Sequence, residues 1–475
     1  MNELTQKQML EALRETRSAE DTAAPKQALM GIRVSPGGYL ALAALLTFVS
    51  AILLRWHRDF AALLLVISTW IVTLIAVATD RLYFDGRILF RSGFMPMLAR
   101  VVGGRRPRLA IEDVERVEVA AVRTLRRGGR VRYRYRVEIN GKGEAFAFAS
   151  GGKKFRRMIS ALLPQIADEK LDARACELRD YLCEPKQLRT QVAALGIAAP
   201  SVLEQADDMT RNRIEGRATS EHVPSEDDSY RAQSLRQVAN YLRVIGRLRE
   251  SAEAFRRALH LAPRDARMIY EYARLLRSQA SAFGDARLLT RACAALKLCL
   301  ARAGDDAHLI ERIGESFFEF GQPVRAAKAL RQAIQINQNS FRAYAGLAEI
   351  ALAEGKLAHV IHHYRDAARV APDQATTRMA RDEADYYARL NDDDDYLNSE
   401  LRRMTWLAGA GRVQQLAARV SFAALLVALA GSFVNQFVAG FGWAVASSSI
   451  IGWSGSLVLR KFLSRRPGRE SAGGA

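Results

Sequence analysis

The residues best suited to bind a metal are three histidines in one short stretch. On a helix His359 and His363 share a face, and together with His362 they could present nitrogen ligands to a zinc ion. No glutamate stands in the arrangement that a zinc protease needs. We interpret the cluster as surface histidines and expect no metal site.

The cysteines support the same interpretation. Cys176 and Cys183 are 7 residues apart, and Cys293 and Cys299 are 6 apart, on segments with helical patterns. We interpret them as buried thiols rather than zinc ligands. Four cysteines in 475 residues are too few for a disulfide framework, so a reducing compartment is expected.

Motifs for phosphate binding and nucleophilic catalysis are missing from the sequence. The glycine pairs at 103–104, 128–129 and 151–152 lack the spacing of a P-loop. No Gly-x-Ser-x-Gly pattern occurs either. We expect no enzymatic activity and no cofactor, which leaves binding as the function to explain.

The elements that position a binding surface begin with an apolar hairpin. Residues 37–54 and 60–79 contain no charged side chain, and only five residues separate them. About 20 apolar residues are needed to cross a bilayer. We predict a transmembrane hairpin over residues 37–79; the alternative is a pair of buried helices in a soluble core.

A second hairpin is predicted at residues 418–459. The run from Val420 to Leu459 is uncharged and 40 residues long, which is too long for one span and suits two. We place its turn near Asn435–Gly442. Buried core helices are again the alternative.

Positive charge flanks both hairpins. Nine Lys and Arg residues flank the C-terminal pair and none lies in its turn, and the corresponding numbers for the N-terminal pair are six and two. Lys and Arg concentrate on the cytoplasmic side of membrane proteins. We expect a bacterial inner-membrane protein with its soluble regions and both terminal segments, 1–36 and 460–475, in the cytoplasm.

A β-rich domain is predicted at residues 80–166. Asp85–Gly86 separates two short apolar runs, a hairpin signal, and Asn140–Gly141 predicts another turn. Residues 130–137 alternate strictly, which places four arginines on one face of a strand and apolar side chains on the other. A helix from Lys153 to Gln165 is expected to close the domain.

The order of these segments resembles the bacterial PH-like domains found behind transmembrane hairpins. A hairpin is followed by TDRLYFDGRILFRSG, then IEDVERVEV, paired strands and a helix. The resemblance covers about residues 38–166 and implies a partly open β-barrel capped by a helix, without catalytic residues. The arginine face is either a solvated strand face or a surface for lipid headgroups or an acidic partner. Its members are Arg130, Arg132, Arg134 and Arg136.

Charge is distributed unevenly along the chain. Of the net charge of +19, residues 81–165 carry +13, residues 166–229 carry −6 and residues 230–390 carry +9. A basic domain beside the inner leaflet is attracted to anionic lipid. Nucleic-acid binding is the rival interpretation, which tethering to a membrane disfavours.

Residues 167–229 are predicted to be a partly helical, flexible linker, because their end is polar and acidic. Three similar windows follow, beginning at Leu235, Ile310 and Tyr344. The landmarks Gly304, Gln338 and Pro372 are 34 residues apart, whereas Pro263 precedes Gly304 by 41 residues. A weaker repeat between the first two windows accommodates about seven inserted residues around Ser278–Asp285.

The period and the small-residue pattern resemble tetratricopeptide repeats. In the window beginning at Ile310 the matching residues are Ile313, Gly314, Phe317, Gly321, Ala326, Leu330 and Ala333. The resemblance implies antiparallel helix pairs stacked into a solenoid. We assign about four repeats and a cap to residues 230–390, followed by a connector at 391–417.

Solenoids of this family hold peptides or protein segments in a concave groove lined by the first helix of each pair. We expect this groove to bind a protein or peptide partner. The groove residues predicted from the register are Arg236, Asn240, Arg243, Tyr270, Arg274, Arg277, His308, Glu311, Arg312, Glu315, Phe318 and Glu349.

A known variant of the family clamps a C-terminal carboxylate with basic and asparagine side chains. Arg236, Asn240, His308 and Arg312 lie near the corresponding positions. Glu271 stands where such a clamp needs asparagine. We favour an ordinary groove with basic and acidic parts.

The sequence thus predicts a multidomain α+β membrane protein with transmembrane helical hairpins, a PH-like β-barrel with a capping helix, and an α-solenoid of helix pairs. The expected function is a scaffold or adaptor at the cytoplasmic face of the membrane. One alternative is an anionic-lipid-sensing or membrane-organising module. Another is a transport or export accessory component, against which the lack of ionisable residues inside the spans argues. A homo-oligomer is left open.

Overall fold

The computed structural model describes residues 30–34, 36–101, 107–125, 131–150, 152–182, 185–197 and 226–463. The strands in these residues are β1 (Met30–Arg33), β2 (Arg81–Phe84), β3 (Ile88–Ser92), β4 (Arg108–Ala110), β5 (Arg116–Leu125), β6 (Val131–Gly141) and β7 (Glu144–Ala149). The first helices are α1 (Gly37–Arg55), α2 (Asp59–Thr79), α3 (Phe94–Val101), α4 (Lys153–Leu162), α5 (Ala173–Tyr181) and α6 (Pro185–Ala194). The next are α7 (Glu226–Ile245), α8 (Leu248–Leu261), α9 (Ala266–Phe283), α10 (Ala286–Arg302), α11 (Ala307–Glu319) and α12 (Pro323–Ile336). The last are α13 (Phe341–Ala353), α14 (Leu357–Val370), α15 (Gln374–Asp392), α16 (Asp394–Val434) and α17 (Gln436–Leu463).

The first sheet contains a strand that the sequence pattern did not reveal. β1 pairs antiparallel with β2, Met30 lies opposite Phe84, and the sheet order is β1-β2-β3-β4. The hairpin α1–α2 therefore leaves the sheet after β1 and returns to it at β2. The β domain thus includes β1, before the hairpin, and the predicted start at residue 80 is wrong.

The second sheet, with the order β5-β6-β7, contains the alternating strand. In β6, Val131 and Val137 are buried, whereas Arg132, Arg134 and Arg136 are exposed. The predicted strand with one arginine face and one apolar face is present, because side chains of a strand point alternately to the two sides of the sheet.

The turn between β6 and β7 lies two residues later than predicted. The strand continues through Asn140–Gly141, and the chain reverses at Lys142 and Gly143, which have φ of 46° and 77°. A side chain on Gly141 would collide with the backbone carbonyl of Asp113. This glycine permits a close backbone approach within the sheet, and the predicted turn at Asn140–Gly141 is wrong.

One hydrophobic core joins both sheets and α4. The apolar side of the closing helix is buried as predicted, with Phe155, Ile159, Leu162 and Leu163 inside the core. The α-helix ends at Leu162 and continues as a 3-10 turn, since Pro164 has no N–H group to extend the α-helical ladder.

Residues 166–182 also belong to this domain. The apolar side of α5 is buried in the same core, and the Asp172 side chain caps the helix by accepting the N–H of Ala175 at 2.6 Å. The predicted linker at 167–229 therefore begins as packed structure. The flexible part was predicted at Glu215–Ser229. Residues 226–229 are instead the start of helix α7, so that end of the prediction is wrong, and residues 215–225 lie outside the described residues.

Helices α7 to α14 form four antiparallel pairs, and α15 follows them as a cap. The turn inside each pair contains a glycine with positive φ: Gly246, Gly284, Gly321 and Gly355. The predicted repeat of helix pairs is confirmed. The inserted residues of the second repeat lengthen α9 to 18 and α10 to 17 residues, against 13 and 14 for α11 and α12, so they add about one turn to each helix.

Helices α1, α2, α16 and α17 are long and apolar enough to cross a membrane. Only 19% to 22% of each apolar window is buried inside the protein, and side chains such as Phe433 (90% exposed) and Phe437 (81% exposed) face outward. Within the described residues these helices are therefore mostly not covered by the rest of this chain. Most of the predicted connector at 391–417 is part of α16 and is continuous with the next apolar segment. The break between the two C-terminal apolar helices falls at Asn435.

Small residues bring α16 and α17 close together. A Cβ atom on Gly442 would lie 2.6 Å from the backbone nitrogen of Ala428, whereas a Cβ atom on Gly440 would meet no atom within 4 Å. The two glycines belong to the same helix and differ in whether they touch the partner helix, so they form a matched pair for mutation.

We expect Gly442→Val to push the two helices apart and to destabilise the detergent-solubilised protein by about 1–3 kcal/mol, the usual cost of overpacking. Gly440→Val adds the same side chain and should change the thermal midpoint little. Scanning fluorimetry of both purified variants tests this, and equal midpoints would contradict the close contact.

Candidate functional site

The concave face of the solenoid is lined by the first helix of each pair, α7, α9, α11 and α13. The predicted groove residues fall into two groups on this face. The first group, on α7 and α9, contains Arg236, Asn240, Arg243, Tyr270 and Arg274, and the second, on α11 and α13, contains His308, Glu311, Arg312, Glu315, Phe318 and Glu349. Arg277 also lies on α9, and its guanidinium lies over the ring of Phe320, 5.7 Å from the centroid.

This groove is occupied by the chain's own helix α5. The carboxylate of Glu177 lies between two predicted groove residues, 2.9 Å from Nη1 of Arg243 and 2.8 Å from Nε of Arg274. Both arginine side chains are only 5% exposed. Arg243 and Arg274, which were predicted to bind a partner, are therefore buried and bind a helix of the same chain.

The charges at this contact are mutually stabilised. Burial raises the pKa of Glu177, but the opposing charges and hydrogen bonds of Arg243 and Arg274 outweigh burial and lower it to about 2. Arg274 also binds Glu319, which Arg174 of α5 approaches at 3.3 Å. The groove thus holds an ionised carboxylate at neutral pH.

Part of the carboxylate clamp that the sequence analysis considered is occupied by a carboxylate of the chain itself. Oε2 of Glu271 accepts a hydrogen bond from Asn240 at 2.7 Å and lies 3.7 Å from Nε of Arg236. Its other oxygen accepts the hydroxyl of Tyr181, the last residue of α5, at 2.7 Å. Asn240 thus already binds an internal carboxylate, whereas the buried Nε of Arg236 has no hydrogen-bond partner within the described residues.

The segment before α5 covers the second group of groove residues. Arg342 of α13 binds both carboxylate oxygens of Glu315, at 2.7 and 2.8 Å, and donates to the backbone carbonyl of Asp168 at 2.9 Å. His308 lies 3.5 Å from the carboxylate of Asp168. Arg312 lies on the same helix as His308, and its buried Nε has no hydrogen-bond partner within the described parts of the chain.

The β domain also contacts the solenoid directly. Tyr135 of β6 donates its hydroxyl to the carbonyl of Val244 at 2.6 Å. Ion pairs between the two parts join Arg116 to Glu349 at 2.9 Å, Arg378 to Glu115 at 3.0 Å and Lys170 to Asp373 at 2.8 Å. Sequence reasoning missed Glu177, Arg342 and these β-domain residues as part of the site. The net negative charge of residues 166–229, beside the net positive charge of the solenoid, could have predicted that this segment binds the groove.

A cavity of about 380 Å³ remains between the segment leading into α5 and helices α11 and α13. Glu315, Phe318 and Glu349 line it, as do the apolar side chains of Leu330 and Phe341. Its volume is at the lower end of the range for small-ligand pockets. A side chain from a partner could enter here without displacing α5.

The arginine face of β6 lies apart from this groove. Arg132 and Arg134 are exposed and form no ion pair within the described residues, whereas Arg136 pairs with Glu138 at 2.7 Å. Arg130 lies outside the described residues. Two arginines on this face are thus available to bind an anion.

His362, His363 and Asp366 offer ligand atoms that lie within 4.8 Å of one another, so they form the group that could hold a metal in the described part of the chain. Asp366 already pairs with Arg369 at 2.9 Å and with His362 at 3.3 Å. The group belongs to α14, the second helix of its pair, away from the groove as predicted.

Three of the cysteines, Cys176, Cys293 and Cys299, are buried free thiols. Cys183 lies outside the described residues. The sequence prediction of buried thiols holds for the three that are described.

No family model matches the chain, and no curated protein matches it. Similar solved structures include PilF of Pseudomonas aeruginosa, with 16% identity, coverage of 45% of this chain and 95% of that chain, and a TM-score of 0.27. TTC0263, a thermophilic TPR protein of Thermus thermophilus, has 19% identity, coverage of 44% and 98%, and a TM-score of 0.28. YrrB, a TPR protein with an unusual peptide-binding site, has 17% identity, coverage of 36% and 92%, and a TM-score of 0.26. The helix-pair architecture is established by the chain's own elements and their packing.

Proposed function

We propose that this protein is a membrane-anchored scaffold of the bacterial inner membrane, without catalytic activity, whose soluble regions and termini lie in the cytoplasm. The outward-facing apolar helices near both ends of the chain support the anchoring. The excess of Lys and Arg around both hairpins supports the orientation.

We assign the β domain to the bacterial PH-like class. Two antiparallel sheets share one core, and α4 closes that core after the last strand. Because the apolar hairpin is inserted between β1 and β2, our proposal places this domain next to the membrane.

The observation that carries the scaffold function is the position of Glu177 between Arg243 and Arg274. The concave face binds a carboxylate carried on a helix, and within this chain that carboxylate is Glu177 of α5. The partner we propose is a protein or peptide with an acidic helix that competes with α5 or that enters the adjacent cavity.

The anchoring is tested by fractionation of cells that express the full chain. The protein should remain in the membrane after carbonate extraction, and a label that cannot cross the membrane should not reach a cysteine placed at exposed Arg291 on α10 until the cells are opened. Recovery in the soluble fraction would end the proposal.

The partner site is tested with a photo-crosslinking amino acid at Phe318, which lines the cavity, and at Val324, which is 79% exposed on α12. We expect adducts with a second polypeptide from Phe318, increased in the Glu177→Ala background, and none that respond to this mutation from Val324. Only intramolecular adducts from Phe318 in both backgrounds would contradict a partner in the groove.

A second candidate function, the sensing of anionic lipid, is favoured by exposed Arg132 and Arg134 on one strand face. We expect phosphatidylglycerol to raise the thermal midpoint of the detergent-solubilised protein more than phosphatidylcholine does. Replacing Arg132, Arg134 and Arg136 together with Gln should remove this difference, because the face loses its charge.

The matched control for the lipid experiment removes three exposed arginines from second helices of the solenoid, Arg291, Arg331 and Arg365. This variant has the same net charge as the strand variant. If the two variants lose the lipid response equally, the strand face has no special part in lipid binding.

A further inference from the structure

A short helix next to the first hairpin exposes apolar side chains that its own domain does not cover. α3 begins with the sequence Phe94-Met95-Pro96-Met97-Leu98. Met97 is 61% exposed and Leu98 is 46% exposed. Adjacent exposed apolar residues of this size on one helix indicate a surface that meets another apolar phase.

The position of α3 is set by the end of α2. The backbone N–H of Phe94 donates to Oγ1 of Thr79, the last residue of α2, at 3.1 Å. A Cβ atom on Gly93 would lie 2.6 Å from Cα of Asp80, so only glycine allows the chain to pass this close to the helix end. These contacts hold the start of α3 at the end of the apolar hairpin.

The surroundings of α3 match the boundary of a bilayer. Leu74 and Ile75, near the same end of α2, are 65% and 41% exposed, so the outward apolar surface of α2 extends to the level of α3. In the sequence α3 is followed by basic residues, with Arg105 and Arg106 before β4. Exposed apolar side chains on a helix that basic residues follow in the sequence are typical of helices that lie in the interface between headgroups and acyl chains.

We infer that α3 is an interfacial helix that inserts Met97 and Leu98 into the cytoplasmic leaflet of the membrane. The inference depends on the proposed function, because α2 must cross the membrane for its end to lie at the interface. At eight residues, α3 is about 12 Å long and adds a second apolar contact beside the span. This contact fixes the orientation of the first sheet relative to the membrane, since β3 leads directly into α3.

The test places an environment-sensitive fluorescent amino acid in the full chain at Leu98, at Ile67 within α2, or at exposed Arg87 in the β2–β3 turn. Each protein is reconstituted into nanodiscs of phosphatidylcholine and phosphatidylglycerol that contain a lipid quencher at a shallow or a deep acyl position. We expect Leu98 to lose severalfold more fluorescence to the shallow than to the deep quencher, Ile67 to show the reverse, and Arg87 to respond to neither.

The three positions separate the failure of this inference from the failure of the proposed function. If Ile67 is quenched and Leu98 is not, the interfacial helix is overturned and the membrane span stands. If neither is quenched, the span itself is wrong. A blue-shifted but unquenched Leu98 would mean that a protein surface, or a second copy of the chain, covers α3, and this too overturns the inference.

A variant pair checks that the apolar face is responsible. Met97→Glu should reduce shallow quenching at Leu98, because a charged side chain is costly in the acyl region. Val122→Glu, at a position that is 57% exposed on β5, makes the same change of charge elsewhere in the β domain and should leave the quenching unchanged. Equal effects of the two variants would contradict the insertion of α3.

Discussion

Replacing Glu177 with alanine is expected to release α5 from the solenoid. Glu177 is the shared partner of Arg243 and Arg274, and its removal leaves two buried guanidinium groups without their central carboxylate. Removing one member of a buried ionic group costs about 3–5 kcal/mol. Hydrogen exchange should therefore accelerate in the amides of α5, and the thermal midpoint should fall.

Asp180→Ala is the matched control for this prediction. Asp180 lies on the same helix and carries the same charge, but it is exposed, and its ion pair among the described residues is with Arg179 at 2.8 Å. Its loss should leave hydrogen exchange in α5 close to that of the wild type. Slow exchange of α5 in the Glu177→Ala protein would show that the ionic contact does not hold the helix in the groove.

The same contact has a defined pH dependence. The pKa of Glu177 is lowered from its ordinary value near 4.5 to about 2 in the folded protein, so its ionised form is favoured by folding. This contribution to stability is fully present above pH 4.5 and is lost as the pH falls toward 2. Between these values the wild type should lose stability relative to Glu177→Ala.

The sequence allowed much of the solenoid to be predicted, because its evidence is local and repeated. The spacing of small residues located the helix pairs, and Arg243 and Arg274, both predicted as groove residues from the register, bind the same carboxylate in the structure. The apolar helices were equally clear, since an uninterrupted run of apolar residues needs no tertiary information.

The local sequence pattern did not predict that α5 occupies the groove. α5 is short and mixes charged and apolar residues without a strong period, so Glu177 looked like any acidic residue of a linker. Only the fold shows that it meets Arg274, 97 positions later in the chain. The acidic balance of residues 166–229 beside a basic solenoid was a global signal that residue spacing alone did not use.

β1 was missed for a related reason. It has four residues, Met30–Arg33, and its partner β2 follows only after the whole apolar hairpin. A strand this short has little pattern of its own, and its pairing is decided by the contacts of its neighbours. The hairpin therefore emerges from within a sheet, and paired strands hold it on both sides.

The joint between the hairpin and the sheet is a buried ionic cluster. Asp80, at the end of α2, is 1% exposed and accepts two hydrogen bonds from Nε of Arg91 on β3, at 2.9 and 3.0 Å. Tyr39 of α1 donates its hydroxyl to the same carboxylate. Three elements meet at one charge, so the geometry between the apolar helices and the first sheet depends on it.

We expect Arg91→Ala to destabilise the protein by about 3–5 kcal/mol, because it leaves the buried carboxylate of Asp80 without its counter-ion. Scanning fluorimetry in detergent should show a large fall in the thermal midpoint. Arg87→Ala, which removes an exposed arginine from the turn between β2 and β3, is the control and should have little effect.

The double variant Asp80→Asn with Arg91→Ala distinguishes a charge effect from lost packing. Neutralising Asp80 removes the uncompensated charge, so the double variant should recover part of the stability that Arg91→Ala loses. If Asp80→Asn adds its own destabilisation in full, the two residues are not coupled through their charges. The joint would then depend on the shape of the Arg91 side chain, and the first sheet would be held to the hairpin mainly by packing and by the backbone pairing of β1 with β2.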